Sequence, residues 1–322
     1  MKFRRLGASG VRVSEVALGS WLTFGSSVDQ ATTTHCTRRA LDLGINFLDT
    51  ADVYMRGEAE RQIGVAIDGV PRRSLFLATK CFWPTGEGPN DRGLSRKHVF
   101  EALHDSLRNL RTDHLDLLQC HRYDPETPLP ETVRAMGDLI SQGKVLYWGT
   151  SCWTAAQIAD GCRTADLLGV PRPVSNQPPF SLLDRAVETE VVPTSIREGL
   201  GQVVFSPLAQ GVLSGKYSRG KVPAGSRGAD EKRGVWMRKH LEPKVLERVD
   251  AFCGLAAEAG TTPARLALAW VLSRPGMTSA IFGATRLEQV EENVAAVEVA
   301  IAPDLSARLD ALFPAPAAPP AP

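Results

Sequence analysis

The chain is limited most by an alternation that runs through nearly all of it. Eight short apolar runs, at residues 16–19, 45–48, 75–79, 115–120, 145–149, 174–177, 203–205 and 279–282, are separated by stretches of helical periodicity. Runs this short and this apolar predict buried strands. The intervening periodicity predicts helices over 31–43, 58–67, 95–110, 131–141, 154–168, 186–198 and 288–297. Gly44 stops the first of these helices and Ser95 is placed to cap the third. Residues 3–13 read as a small hairpin, and further helices are expected over 243–259, 263–273 and about 304–312.

Strands that each lead into a helix imply one parallel sheet with helices outside it. Eight of them in 322 residues predict an α/β protein, a closed (β/α)8 TIM barrel with an N-terminal β-hairpin. A long loop rich in Gly, Ser and Lys/Arg, about 208–240, follows strand seven. An open doubly wound sheet is the alternative. Residues 1–313 are expected to form a single barrel domain, and the Ala/Pro tail at 314–322 is too poor in packing groups to fold.

Composition excludes several functions. A formal net charge of +1 argues against a general surface for nucleic acid or acidic membranes. No run of about 18 apolar residues exists to span a bilayer. The start, Met1-Lys-Phe-Arg-Arg-Leu-Gly, lacks an apolar signal core, and six scattered cysteines without a C-x-x-C pair fit a reducing compartment. A cytoplasmic location is expected. Neither G-x-G-x-x-G nor G-x-x-x-x-G-K-[ST] occurs: Gly211-Val-Leu-Ser-Gly215-Lys216 is one residue short and lacks the hydroxyl. No metal is assigned.

In a barrel the active site is built at the C-terminal ends of the strands. Those ends carry Ser20 and Trp21, then Asp49 with Tyr54 beyond it, Lys80, His121, Ser151, Asn176 with Gln177, and Phe205 with Ser206. Asp, Tyr, Lys and His at one mouth suit proton donation to a carbonyl. A free phenol has a pKa near ~10, and a neighbouring ammonium is expected to lower it. Asp49 would hold Lys80, and His121 would direct the carbonyl oxygen. Nothing here supplies hydride, so a reduction needs a nicotinamide cofactor.

On these residues the sequence resembles the aldo-keto reductase superfamily, in the branch of bacterial reductases and potassium-channel beta subunits. The likeness covers nearly the whole chain. It rests on Leu18-Gly-Ser-Trp21, Phe47-Leu-Asp-Thr-Ala-Asp-Val-Tyr54, Ala78-Thr-Lys80, Asp116-Leu-Leu-Gln-Cys-His121 and Gly143-Lys-Val145 with Trp148-Gly-Thr-Ser151. Asn176-Gln177, Phe205-Ser-Pro-Leu-Ala-Gln-Gly211 and Gly283-Ala-Thr with Glu288-Gln-Val-Glu-Glu-Asn293 complete it.

The resemblance implies NADPH/NADP+ extended across the mouth and Tyr54 as general acid. Lys80 and Asp49 would tune it, and His121 would orient the substrate. Ser20, Trp21 and Asp49 would border the cofactor, and Ser151, Asn176 and Gln177 would surround the nicotinamide, with Phe205 stacked on it. Ser206, Leu208 and Gly211 would line the pyrophosphate path, with Lys216 and Arg227 reaching the phosphates. Gly283, Thr285, Arg286, Gln289, Glu292 and Asn293 would hold the adenosine end. Trp21, Met55, Phe82, Trp83, Tyr123 and Trp153 would form an apolar substrate wall.

Three departures from the family pattern concern cofactor contacts: Phe205 where Trp or Tyr is frequent, Phe180 for a common Tyr, and Cys152 where the channel-associated branch can have Arg. The expected function is NADPH-dependent reduction of a small-molecule aldehyde or ketone, with homo-oligomer formation possible. The alternative is an NADPH-binding regulatory subunit that docks on a partner protein; His121 argues against it, because the channel-associated branch has an Asn-like residue there. A barrel hydrolase pairing Asp49 with Asp52 is a third reading, which Lys80 and Tyr54 suit poorly.

Overall fold

The computed structural model describes residues 1–217, 220–230 and 234–317. A hairpin opens the chain, β1 (Phe3–Arg5) pairing antiparallel with β2 (Arg12–Ser14). Eight parallel strands follow: β3 (Val16–Gly19), β4 (Phe47–Asp49), β5 (Phe76–Cys81), β6 (Leu115–Cys120), β7 (Val145–Ser151), β8 (Ser175–Gln177), β9 (Gly201–Val204) and β10 (Met277–Phe282). They close in the order β10-β3-β4-β5-β6-β7-β8-β9. The fold is a (β/α)8 barrel, and the open sheet is ruled out.

Helices α1 (Gln30–Asp42), α2 (Glu58–Ala66), α3 (Arg96–Leu110), α4 (Leu129–Ser141), α5 (Ala155–Leu168) and α6 (Val191–Glu198) connect successive strands. Helices α7 (Pro243–Glu258) and α8 (Pro263–Ser273) lie between β9 and β10, and α9 (Leu287–Val294) and α10 (Pro303–Leu312) follow. Local chemistry sets their ends. Ser95 accepts from the His98 N–H at the start of α3, and Thr154 and Gln157 form a reciprocal capping box on α5. Gly44, at φ +89°, lets the chain turn from α1 into β4.

Side chains divide into two layers. Ala17, Phe47, Phe76, Ala78, Leu117, Val203 and Ile281 fill the barrel interior. Leu6 and Val13 of the hairpin region join them, and Ala8 N–H donates to the Gly199 carbonyl just before β9. The hairpin therefore plugs the end where the strands begin. Leu18, Leu48, Leu77, Leu118 and Trp148 pack outward beneath the helices. A one-residue slip in any strand would exchange the layers, and each large apolar side chain so misplaced would cost about 1.5–3 kcal/mol.

The expected helix over 186–198 is broken. A 3-10 turn, Ala186–Glu188, precedes α6, which begins afresh at Val191. In one continuous helix the Pro193 ring would clash with the carbonyl four residues back; in α6 it sits in the first turn, where proline is tolerated. Helix α9 likewise ends in a 3-10 turn, Ala295–Glu298. The long loop carries 3-10 turns at Ala209–Ser214, Arg227–Ala229 and Gly234–His240. Residues 314–317 are exposed and without helix or strand; the tail expectation for 318–322 lies outside the described residues. No helix among the described residues is long and apolar enough to cross a membrane.

Candidate active site

Alternation decides which side chains reach the mouth. In β4, Phe47 joins the inner layer and Leu48 the outer one, so Asp49 points inward at the strand's end. By the same count Lys80 follows the inner residue Ala78 in β5, and His121 follows the inner residue Leu117 just past β6. Three neighbouring strands thus deliver Asp49, Lys80 and His121 to one rim. Tyr54 reaches it from the loop after β4.

Lys80 has no exposed surface. Its Nζ donates to Asp49 Oδ1 at 2.7 Å, to the Thr50 carbonyl at 2.6 Å and to Tyr54 Oη at 3.4 Å, which accounts for all three ammonium protons. The second oxygen of Asp49 accepts from Gln177 Nε2 at 2.8 Å. A buried ion pair is tolerated when its remaining hydrogen-bonding capacity is met in this way. The Tyr54 ring meets that of His121 edge-on, with centroids 5.8 Å apart.

Burial pushes the Tyr54 phenol above its ordinary pKa; Lys80 opposes this and Asp49 adds to it. The expected lowering is therefore corrected: desolvation outweighs the ammonium. Burial also works to lower the Lys80 pKa, but Asp49 and Tyr54 more than offset it, so the amine sits above its ordinary value and stays charged. Burial, then the charges of Lys80 and Arg122, push His121 well below its ordinary value, so its imidazole is neutral. Its Nδ1 is buried without a partner. The set at neutral pH is a protonated phenol over a charged amine, beside a neutral imidazole. Such a set can donate to a carbonyl oxygen and can stabilise the phenolate left by proton transfer.

Asp52 is buried behind this set. Its Oδ1 accepts from the Val53 N–H at 2.6 Å, while its Oδ2 is buried with no partner. Burial, then the carboxylate of Glu60, raise its pKa well above the ordinary value. A raised carboxyl is destabilising once ionised, so its cost is absent below the unfolded pKa and complete above the folded one. Asp52→Asn is accordingly expected to raise Tm at pH 8 and to leave it nearly unchanged at pH 3; denaturation scans at both pH values check this.

The residues expected around a cofactor separate into groups. Ser20 Oγ donates to Thr50 Oγ1 at 2.9 Å, and Ser151 Oγ donates to the Gln177 carbonyl at 2.9 Å, both at the buried base of the mouth. Asn176 is not there. Adjacent to the inward Gln177 in β8, it faces outward: its Oδ1 accepts from Thr150 Oγ1 at 2.9 Å and its Nδ2 donates to Gln202 Oε1 at 3.4 Å. Both ends of its amide are engaged in the barrel wall, which corrects its expected place at the nicotinamide.

Phe205 is half-buried at the rim, 6.5 Å edge-on from Trp21. Ser206 accepts from Gln210 Nε2 at 2.6 Å, and Gln210 Oε1 accepts from Arg227, which ties the long loop back to β9. Leu208 is half-buried, Lys216 is exposed, and a Cβ on Gly211 would come within 2.9 Å of the Lys216 Nζ. Thr285 donates through its N–H and hydroxyl to Gln289 Oε1 at 2.8 and 3.2 Å, beside the exposed Gly283 and Arg286 at the start of α9. Glu292 is turned to α8, where it accepts from Thr262 and, at 2.6 Å, from Arg265; Asn293 is buried. The carboxylate expected at the adenosine end is thus engaged elsewhere.

Of the expected substrate wall, Trp21, Met55, Phe82, Trp83 and Tyr123 keep surface at the mouth, whereas Trp153 is 2% exposed and lies behind Tyr123, with centroids 5.0 Å apart. It backs the wall. One wall residue was missed: Trp236, 58% exposed, meets Trp21 edge-on at 5.8 Å. The apolar pair Val235-Trp236 inside a polar loop was the available signal. Among the described residues, all the non-glycine residues with positive φ except Arg111 (Leu22, Met55, Arg56, Cys152, Ser206, Ala209 and Gln210) lie in loops that leave strand C-termini. Backbone strain is stored at this rim.

A barrel with this Asp, Tyr, Lys and His arrangement defines a class. The sequence profile described as "Aldo/keto reductase family" matches residues 15–313, and the chain belongs to that family. NADPH-dependent carbonyl reduction is the chemistry of the family. Among curated proteins the chain is 43% identical over 302 residues to a "Probable voltage-gated potassium channel subunit beta" of Arabidopsis thaliana, covering 93% of this chain and 92% of that one. A protein of the same name from Oryza sativa subsp. japonica is 42% identical over the same spans.

Proposed function

We propose that this chain reduces an aldehyde or ketone to an alcohol, with Tyr54 supplying the proton. One observation carries the reading. The Tyr54 hydroxyl lies 3.4 Å from a buried, ion-paired Lys80 and beside a neutral His121. A carbonyl oxygen held by Tyr54 and His121 would take the proton as negative charge develops on it, and Lys80 would steady the phenolate.

The hydride would come from NADPH, which supplies a two-electron donor when bound. The residues present suit it. Phe205 offers a ring face at the rim, and Gln177 keeps its Oε1 free of Asp49. At α9 no side chain caps the first N–H groups, and Thr285 and Arg286 stand exposed beside them, a setting that favours a phosphate. NADPH is therefore expected to bind more tightly than NADH, and Arg286→Ala should weaken that preference.

The names of the two relatives favour a second reading, in which the chain binds NADPH and serves a partner protein. One experiment separates the two. NADPH and NADH are titrated against tryptophan fluorescence, and a panel of aldehydes and ketones is followed by loss of NADPH absorbance. Turnover with an NADPH preference supports the reductase. Bound NADPH with no turnover on any carbonyl supports the regulatory subunit.

A further inference from the structure

Two arginines stand on the substrate side of the mouth with no carboxylate opposite them. Phe82, Trp83, Pro84 and Arg92 from the loop after β5, with Arg122 and Tyr123 from the loop after β6, line one cavity of about 410 Å³. The cavity adjoins the reacting groups, since the Trp83 ring lies 6.3 Å from that of His121. Arg122 is held in position: it donates to the His121 carbonyl at 2.5 Å and lies 5.5 Å over the Trp83 ring. Its remaining N–H groups have no partner among the described residues.

Two acids of these same loops, Asp91 and Asp124, are engaged by N–H and hydroxyl groups of the loops themselves. Asp91 Oδ2 accepts from the Gly88 N–H at 2.7 Å. Asp124 accepts from the Leu94 N–H and the Thr127 hydroxyl at 2.7 Å each, and from the Glu126 N–H at 3.0 Å. Among the described residues neither Arg92 nor Arg122 is in an ion pair, whereas Arg185 and Arg274 each hold two carboxylates. Uncompensated guanidinium groups over aromatic walls recognise carboxylate-like anions strongly. The cofactor's phosphates do not account for them. The expected phosphate residues follow β9 and β10, which lie three or four places around the ring from β5 and β6.

We infer that the substrate of this site carries an anionic group, of the carboxylate class, joined to its carbonyl through an apolar or aromatic body. The inference rests on the proposed carbonyl reduction. The aromatic side chains would pack on the body, the carbonyl would lie against Tyr54 and His121, and Arg92 and Arg122 would take the anion.

The test compares para-carboxybenzaldehyde with its methyl ester as substrates, in the presence of NADPH. The ester is the more electron-withdrawing substituent, so a preference for the carboxylate must come from the protein. Wild type should favour the carboxylate roughly tenfold or more in kcat/KM, mainly through KM. The preference should shrink as salt is raised. Arg92 is an exposed loop side chain, so Arg92→Gln should fold and should by itself reduce the ratio; Arg92→Gln with Arg122→Gln should bring it near one. Equal kcat/KM values in the wild type at low salt, or a ratio unmoved in the double variant, would overturn the inference. Reduction of neither aldehyde would overturn this inference, and the reductase reading falls with it only if the wider carbonyl panel also gives no turnover.

Discussion

Replacing Tyr54 by Phe is expected to lower kcat/KM for carbonyl reduction by about 10²–10⁴-fold, the range a positioned general acid contributes. NADPH affinity should hardly change, because the hydroxyl acts in the transition state and not in holding the cofactor. The structure makes this a clean substitution. Among the described residues the hydroxyl's one side-chain bond is the long 3.4 Å contact from Lys80, whose two shorter bonds to Asp49 and Thr50 remain. The ring also remains, 5.0 Å from the ammonium and edge-on to His121. Stability should therefore be close to that of wild type. The raised phenol adds a pH signature. Tyr54 stays protonated through neutral pH, so the wild-type rate should fall only on the alkaline side of the ordinary phenol value, and the Phe variant should lack that limb. Steady-state rates across pH check both statements. A Phe variant that kept more than about a tenth of wild-type kcat/KM, a loss of roughly 1.4 kcal/mol or less, would remove Tyr54 from the role.

Lys80→Met should abolish turnover and, unlike Tyr54→Phe, should also weaken the fold. Asp49 is 3% exposed, and its Oδ1 depends on Lys80. Removing one member of a buried ion pair costs about 3–5 kcal/mol, because the other is left buried and uncompensated. The Thr50 carbonyl loses its short bond at the same time. Chemical denaturation and NADPH-dependent turnover are the two measurements. The double variant Asp49→Leu with Lys80→Met should recover part of the stability and none of the activity, since a matched apolar pair removes the stranded charge but restores no support for the phenolate. An active Lys80→Met protein would show that Tyr54 donates its proton without help from the ammonium.

Parts of this site were plain in the sequence because one local rule places them. Asp49, Lys80 and His121 each stand at the end of an apolar strand, and barrel geometry sends strand ends to the mouth. What escaped depended on relations that no local run contains. Asn176 needed the inward and outward parity of a three-residue strand, and Gln177 beside it took the inward place. Glu292 was lost to Arg265, a partner 27 positions away on α8. Trp236 owes its place at Trp21 to the path of a loop that lacks periodicity. The direction of the Tyr54 shift turned on how much water the finished fold removes, which charge pairs alone cannot tell. The break before α6 also went against the expected helix over 186–198, although Pro193 carried a local signal for it.

The bond from Gln177 to Asp49 crosses the full width of the barrel. β8 and β4 stand four places apart in a ring of eight, so this single contact ties opposite walls together like a guy line over the mouth. An ion-paired carboxylate can only accept, which settles which way round the amide sits: Nε2 toward Asp49, Oε1 away from it. The far wall therefore presents a fixed acceptor. Whatever docks there must bring an N–H or O–H of its own, a condition that a nicotinamide carboxamide meets with its NH2. Orientation of the bound ring would thus be decided by a polarity that originates in the same carboxylate that anchors the proton-donating side.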